Sequence, residues 1–255
     1  MTARIVAIII LVHFSILSWA QGEIEKDDGI FIQNERSIGF NLNSNGFGSD
    51  FRYGKRIDGF RKRLIIGGIN YIKHPKEIKS HNQQNQSQSY VFGKLNHCIN
   101  LRASIGRQKE MFSKFDKGSV AIRYFYSGGL SACILKPIYY EVKENDLTVN
   151  KKFDPAQHHT TWDIQGKAPF SEGVSETTIT PGIHAEIGFS FEYSKTSKVI
   201  NALECGARGD IFLNEIQIMA IENNNYYFAT LFLSYRFGRL FSPRIKDTSN
   251  KLYTE

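Results

Sequence analysis

Tyr226 to Gly238 reads YYFATLFLSYRFG. From Leu231 the residues alternate without a break. Leu231, Leu233, Tyr235 and Phe237 share one face, and Thr230, Phe232, Ser234 and Arg236 share the other. A period of two is the signature of a β-strand with two unlike faces. An apolar face about ten residues long that ends in aromatics, backed by a mainly polar face, is what a strand needs to cross a bilayer within a closed sheet.

The same alternation recurs upstream. Ile183, Ala185, Ile187, Phe189, Phe191 and Tyr193 alternate with His184, Glu186, Gly188, Ser190 and Glu192. After a short turn at Ser194–Lys198, Leu203, Cys205 and Ala207 alternate with Glu204, Gly206, Arg208 and Asp210. Further back, Val120, Ile122, Tyr124 and Tyr126 oppose Ala121, Arg123 and Phe125 in a strand that runs on toward Tyr140. Ile99, Leu101, Ala103 and Ile105 oppose Asn100, Arg102, Ser104 and Gly106 within Tyr90–Met111. In Leu64–Lys73 the apolar set is Ile65, Ile69 and Tyr71, blurred by Leu64 and Ile66. Near the start, Ile38, Phe40 and Leu42 lead to Asn45-Gly46, a dipeptide suited to a two-residue hairpin loop. Phe47, Phe51 and Tyr53 follow on the return strand.

These stretches number eight. An even number suits a closed antiparallel sheet with both chain ends on one side. The connections then sort by length. Those at Asp58, Asp116 and Thr196 are short and fall on the side of the termini. Those at Asn45, Gln83, Ala156 and Asn223 fall opposite, and three of these four are long. The sequence therefore predicts an all-β fold, an eight-stranded antiparallel transmembrane β-barrel with long extracellular loops and short periplasmic turns. A soluble sandwich would not produce that parity. Within the loops, His74–Ser89 is rich in Gln, Asn and Ser. Glu141–Glu176 is expected to be irregular, and Phe212–Asn225 to be a loop.

The N-terminus supplies an address. Arg4, the apolar run Ile5–Leu17 and Ser18-Trp19-Ala20 form the basic, apolar and small-residue parts of a secretory signal peptide. The expected organisation is a signal peptide at 1–20, a polar periplasmic lead-in at 21–35, a barrel at 36–238 and a periplasmic tail at 239–255. The destination is the outer membrane of a Gram-negative cell. Nineteen Phe and twelve Tyr against six Pro suit aromatic girdles on many strands. The net charge of +7 is dispersed, so no nucleic-acid partner is implied. Three cysteines do not make a disulfide scaffold.

On SIGFNLNSNGFGSDFRYGKRI, IRYFYSGG, GFSFEYSK and TLFLSYRFG the chain resembles the small outer-membrane β-barrel proteins common in Bacteroidota. Its last strand also looks like the closing strand that the barrel-assembly machinery reads by its terminal aromatic. The resemblance spans roughly Glu35 to Gly238 and implies fold and location. It imports no catalytic motif.

The inward faces concentrate charge at Asp50, Arg52, Arg56, Arg102, Arg123, Glu186, Glu192, Glu204, Arg208, Asp210 and Arg236. An eight-stranded barrel is narrow enough for side chains to fill it. Opposed charges inside should therefore pair, because a lone buried charge is far more costly. Matched faces across the Ser194–Lys198 turn set Glu186 opposite Arg208 and His184 opposite Asp210. These four, with Asp50 and Arg52, are the expected interior ion-pairing residues. On the hairpin Tyr90–Met111 and Gly118–Tyr140, one register puts Leu101 against Leu130, Ile105 against Tyr126, Gly106 against Phe125 and Cys98 against Cys133. That register makes Cys98–Cys133 the candidate disulfide. A slip of two residues would preserve every face. Cys205 would be left over on the lipid face.

No catalytic residue, cofactor or metal is expected. His158-His159, near Asp154 and Asp163, lie on an irregular stretch with no fixed ligand geometry. His184 on a strand would suit a lipid hydrolase only with a serine and an acid brought to it in space. The expected role is non-enzymatic: structural, adhesive, or an accessory subunit of a larger outer-membrane assembly. Its surroundings would be outer-membrane lipid and that assembly. A lipid-modifying barrel enzyme and a narrow solute channel are the alternatives.

Overall fold

A computed structural model describes residues 33–80, 89–114, 118–144, 147–154, 164–194, 196, 198–220 and 224–241. The expected signal peptide, residues 242–255 of the expected tail, His158 and His159 lie outside them, whereas 239–241, also expected in the tail, belong to the last barrel strand because they pair with Asn34–Arg36. Eight long strands dominate: β1 (Asn34–Asn43), β2 (Gly46–Arg56), β3 (Arg61–Ile72), β4 (Asn96–Phe112), β5 (Ala121–Pro137), β6 (Thr178–Glu192), β7 (Val199–Phe212) and β8 (Tyr227–Phe241). Each pairs antiparallel with the next, and β1 pairs with β8, so the sheet closes into a barrel. Closure runs from Asn34 opposite Phe241 to Asn43 opposite Phe232, with Ile38 opposite Phe237. Among the described residues no helix is long and apolar enough to cross a membrane.

The stagger follows from the register. From Asn43, successive partners are Phe232, Gly206, Gly188, Phe125, Gln108, Lys62 and Arg56. In the other direction Asn43 pairs with Gly46. The row thus returns to β2 ten residues from where it began, Gly46 against Arg56. Such a stagger tilts the strands by about 35–45° and draws the wall in until side chains meet across the lumen.

Alternation becomes burial. On β8, Leu231 is 68% exposed while Arg236 is 2% exposed. The outer surface is apolar, and the charged residues are inside. Leu64 and Ile66, which blurred the third strand, are the inward set there and join Phe125 and Phe232 in a small interior cluster. Gly206 makes room for it. A Cβ there would stand 2.9 Å from Phe232 and 2.2 Å from the Ile187 carbonyl oxygen.

Four features depart from expectation. The first hairpin turns on Ser44-Asn45, and Gly46 begins β2 with φ of 151°. Asn43 and Gly46 are the last ladder pair, so the two-residue loop sits one position earlier than the dipeptide suggested. β1 begins inside the supposed lead-in, because Glu35 turns inward and meets Lys62 at 2.6 Å. The β4–β5 register is slipped by two: Leu101 faces Ala132, Ile105 faces Gly128, Gly106 faces Ser127, and Cys98 faces Leu135. This pairing keeps every face, and it sets Leu101, Ile105 and Gly106 against smaller residues than the expected register did.

The fourth departure is the end of the barrel opposite the termini. Part of the stretch expected to be irregular forms a three-stranded sheet of Tyr139–Glu144, Leu147–Lys152 and Ile164–Lys167. Lys79–Ser80 and Tyr90–Val91 form a second small ladder. These short strands carry no long alternating run, which is why the pattern missed them.

Candidate functional site

From the terminus-bearing end upward, the interior is a stack of ion pairs. Near that end Arg123 bridges Glu110 at 2.8 Å and also contacts Glu192, which Lys114 reaches at 3.0 Å. Above them Glu204 is held by two guanidiniums. Arg52 donates from Nη1 at 2.7 Å and from Nη2 at 3.2 Å, and Arg236 Nε donates at 2.9 Å. Arg236 Nη2 also donates to Asp50 Oδ2 at 2.5 Å, and Asn41 donates to the other Asp50 oxygen at 2.9 Å. Arg52 lies over the Phe125 ring and Arg208 over Phe232, at 4.6 and 4.5 Å from the centroids.

Higher still, Arg208 Nε donates to Glu186 Oε2 at 2.6 Å. Asp210 accepts from Arg102 at 2.8 and 2.7 Å and from Asn100 at 3.0 Å. Across these layers seven cations (Arg52, Lys62, Arg102, Lys114, Arg123, Arg208, Arg236) meet seven carboxylates (Glu35, Asp50, Glu110, Glu186, Glu192, Glu204, Asp210). Among the described residues the pairing neutralises these fourteen side chains, which is what makes so many buried charges tolerable, while Arg56, also inward, donates to the Gly59 carbonyl oxygen at 2.9 Å.

The residues singled out from the sequence come together unevenly. Glu186 and Arg208 are cross-strand partners and an ion pair, and His184 sits opposite Asp210. His184 does not pair with it, however, because Arg102 reaches Asp210 from β4. Asp50 and Arg52 do not pair with each other: Asp50 takes Arg236 and Arg52 takes Glu204. Lys62, Glu35, Glu110 and Lys114 were missed. Inward parity on β3 and β4 was the available signal for Lys62 and Glu110.

Among the described residues no hydrogen bond joins His184 to a serine. His184, Ser127 and Ser131 all face the interior, and His184 Nδ1 and both serine oxygens make no hydrogen bond. Among the described residues no three His, Cys, Asp or Glu side chains converge as a metal site would require.

Above the Arg102–Asp210 pair the chemistry turns apolar. Ile72, Cys98, Cys133, Leu135, Phe212, Ile216, Ile218 and Met219 pack across the mouth. Cys98 and Cys133 are joined as a disulfide with Cα atoms 6.3 Å apart. Cys133 faces Asn100, so the bridge joins diagonal neighbours and not the directly opposed pair that was expected. Cys205 is free and exposed on the outer wall. The segment carrying Ile216, Ile218 and Met219, read as a plain loop, is stitched down by backbone bonds from Leu95 to Ile218 at 2.9 Å and from Ala220 to Gly93 at 2.8 Å.

Over this stopper sits a second core of Tyr90, Ile138, Tyr140, Val142, Phe153 and Ile164. The Tyr140 hydroxyl meets the Lys94 and Val91 carbonyl oxygens at 2.7 and 2.8 Å, and burial pushes its phenol well above the ordinary range. Buried Lys94 binds Glu77 at 2.7 Å and the Tyr71 hydroxyl at 3.0 Å. At the other end, the backbone N–H of Phe60, with help from Arg61, holds the Asp58 carboxyl below its ordinary range.

No family model matches the chain, and no curated protein matches it. Among solved structures it is similar to Neisserial surface protein A, with 9% identity, a TM-score of 0.41, and coverage of 82% of this chain and 97% of that one. It is also similar to Ail, the attachment invasion locus protein of Yersinia pestis, solved with the heparin analogue sucrose octasulfate. There the identity is 6% and the TM-score 0.40, over 83% of this chain and 100% of that one. The N-terminal β-barrel domain of Pseudomonas aeruginosa OprF gives 10% identity and a TM-score of 0.34, over 82% and 99%.

Proposed function

We propose that the chain is an integral outer-membrane barrel, with its termini in the periplasm, a closed lumen, and a folded cap that does its work outside the cell. One observation carries the reading: the polarity is inverted relative to a soluble barrel. Ile65, Ile105, Leu130, Ile183, Ile187, Leu231 and their neighbours face outward, while the charged side chains are inside. An apolar exterior of this extent is stable only against lipid or another apolar surface. Ion pairs and the apolar stopper fill the lumen among the described residues, which supports a closed barrel over a conducting one, and His184 faces that interior, which counts against lipid hydrolysis. The cap presents Ile78, Leu147 and Phe170 to its surroundings. That suits contact with a protein, either adhesive or within a larger outer-membrane assembly.

Cys205 provides the test, because it is the free thiol on the outer wall. In reconstituted vesicles it is expected to react with an apolar maleimide and to be shielded from a sulfonated one. Planar bilayers containing the folded protein should show no conductance steps. Rapid labelling by the sulfonated reagent would remove the membrane reading, and reproducible steps would remove the closed lumen. Photo-crosslinking from the cap in native membranes should recover a protein partner, and labelling of lipid alone would count against the cap's role.

A further inference from the structure

Near the terminus-bearing end, the outer wall carries charge of one sign. Arg36, Lys55, Arg61, Arg63, Arg107, Lys109 and Arg239 are all exposed there, on the adjoining strands β8, β1, β2, β3 and β4. The register sets them side by side. Arg36 faces Arg239. Lys55 faces Arg63, which on its other side faces Arg107. Arg61 faces Lys109. Like charges directly opposite across a ladder repel, with side chains about 4.5–5.5 Å apart at Cβ.

Little among the described residues offsets this. Arg61 binds Asp58 at 2.6 Å, and Arg36 lies over the Phe241 ring at 4.7 Å. Among the described residues, Lys55, Arg63, Arg107, Lys109 and Arg239 have no carboxylate within ion-pair distance. The rest of the circumference differs: β5, β6 and β7 present Ile122, Phe191, Tyr193 and Asn201 near this end, with Lys198 in the turn below. Among the described residues the cations therefore form an arc, not a ring.

The arc borders a groove of about 730 Å³ lined by Asp58, Phe60, Arg61, Arg107, Lys109, Tyr124 and Tyr126, in which the Asp58 carboxylate is already held by Arg61. Tyr124 faces Lys109 and Tyr126 faces Arg107 across the β4–β5 ladder. Directly above, Ile65 and Ile105 begin the apolar wall. Cations beside aromatic rings, under an apolar face, match the polarity profile of one lipid molecule: phosphate, then glycerol backbone, then acyl chain.

We infer that this arc and groove bind the headgroup of an anionic glycerophospholipid in the periplasmic leaflet. Arg61, Arg63, Arg107 and Lys109 receive the phosphate, and Tyr124, Tyr126 and Phe60 flank the interfacial part of the lipid. The inference rests on the membrane reading above. It adds that the barrel has a lipid-selective side, because the cations cover β8 and β1–β4 and not β5–β7. The bound lipid supplies the counter-charge that the cross-strand pairs lack.

The test compares the folded protein with the triple variant R63Q/R107Q/K109Q. Both are examined in vesicles of phosphatidylcholine alone and of phosphatidylcholine with phosphatidylglycerol. Native mass spectrometry should find phosphatidylglycerol retained on the wild type in preference to phosphatidylcholine, and the variant should lose about tenfold or more of that preference, given the attraction of each cation for an anionic surface. Stability supplies a second readout. In phosphatidylcholine the variant should unfold at equal or higher urea than the wild type, because like-charge repulsion has been relieved. In phosphatidylglycerol the order should invert. The same order in both lipids, or equal retention of the two lipids by the wild type, overturns the inference. Displacement of the lipid by millimolar inorganic phosphate would show a phosphate site and overturn the commitment to lipid. Failure to float with phosphatidylcholine vesicles would sink the membrane reading itself. Flotation without lipid preference would sink only this inference.

Discussion

Replacing Glu204 with glutamine removes one negative charge from between two guanidiniums that are 1% and 2% exposed. Arg236 keeps Asp50 at 2.5 Å, but Arg52 keeps only its stacking on Phe125. Breaking one side of a buried pair costs about 3–5 kcal/mol. Glu204 accepts three of the network's hydrogen bonds, at 2.7, 3.2 and 2.9 Å, which argues for the upper half of that range. With a urea dependence of about 2 kcal/mol per molar, the unfolding midpoint should fall by roughly 2 M. The assay is loss of the heat-modifiable folded band across a urea series in lipid vesicles. A compensating pair sharpens it. Glu204→Met with Arg52→Met removes one charge of each sign and leaves Arg236 with Asp50, so most of the loss should be recovered. Equal midpoints for E204Q and wild type, or a double variant weaker than either single one, would refute a dry, charge-balanced lumen.

Three further outcomes follow from the same geometry. Arg208→Ala strands Glu186, and the folded band should weaken by about 3 kcal/mol or more in the same series, with recovery in an E186Q/R208M double variant. Non-reducing peptide mapping should show Cys98 linked to Cys133 with one alkylatable thiol, Cys205. Opening this bridge across 35 residues should cost about 3–4 kcal/mol in the chain-entropy description, and three free thiols would remove it. Ile218→Lys, which forces a charge into the mouth cluster, should raise protease cleavage near residues 213–220 while leaving the folded band intact; unchanged cleavage would mean the stopper is not packed as described.

Much of the barrel was legible in the residues because alternation, parity and turn length are local. Leu231 to Phe237 declare their faces within seven positions. The short Ser194–Lys198 turn leaves one sensible register, which sets Glu186 opposite Arg208. Where the connection is longer and the arms are uniform, as between β4 and β5, a slip of two changes no face, and only close packing decides. Ion-pair partners were less legible still. Arg102 lies on β4 and Asp210 on β7, and Arg52 on β2 reaches Glu204 on β7. These pairs cross the lumen, and a reading built on adjacent strands cannot find them. The cap escaped notice because strands of four to six residues show too few periods to stand out.

The stopper at Ile216–Met219 lies on the connection that immediately precedes β8. β8 is also the strand that must find β1, its partner from the far end of the chain. Sealing the mouth and joining the two ends of the sheet therefore both wait on the arrival of this last stretch of chain. Until it occurs, β1 keeps an unpaired edge and the lumen stands open. Contacts so distant in sequence form slowly. A half-built barrel would be a trough with its charges wetted, and closure expels that water as the ion pairs meet. The chain has in effect placed its lid next to its last seam, so a molecule that fails to zip also fails to close.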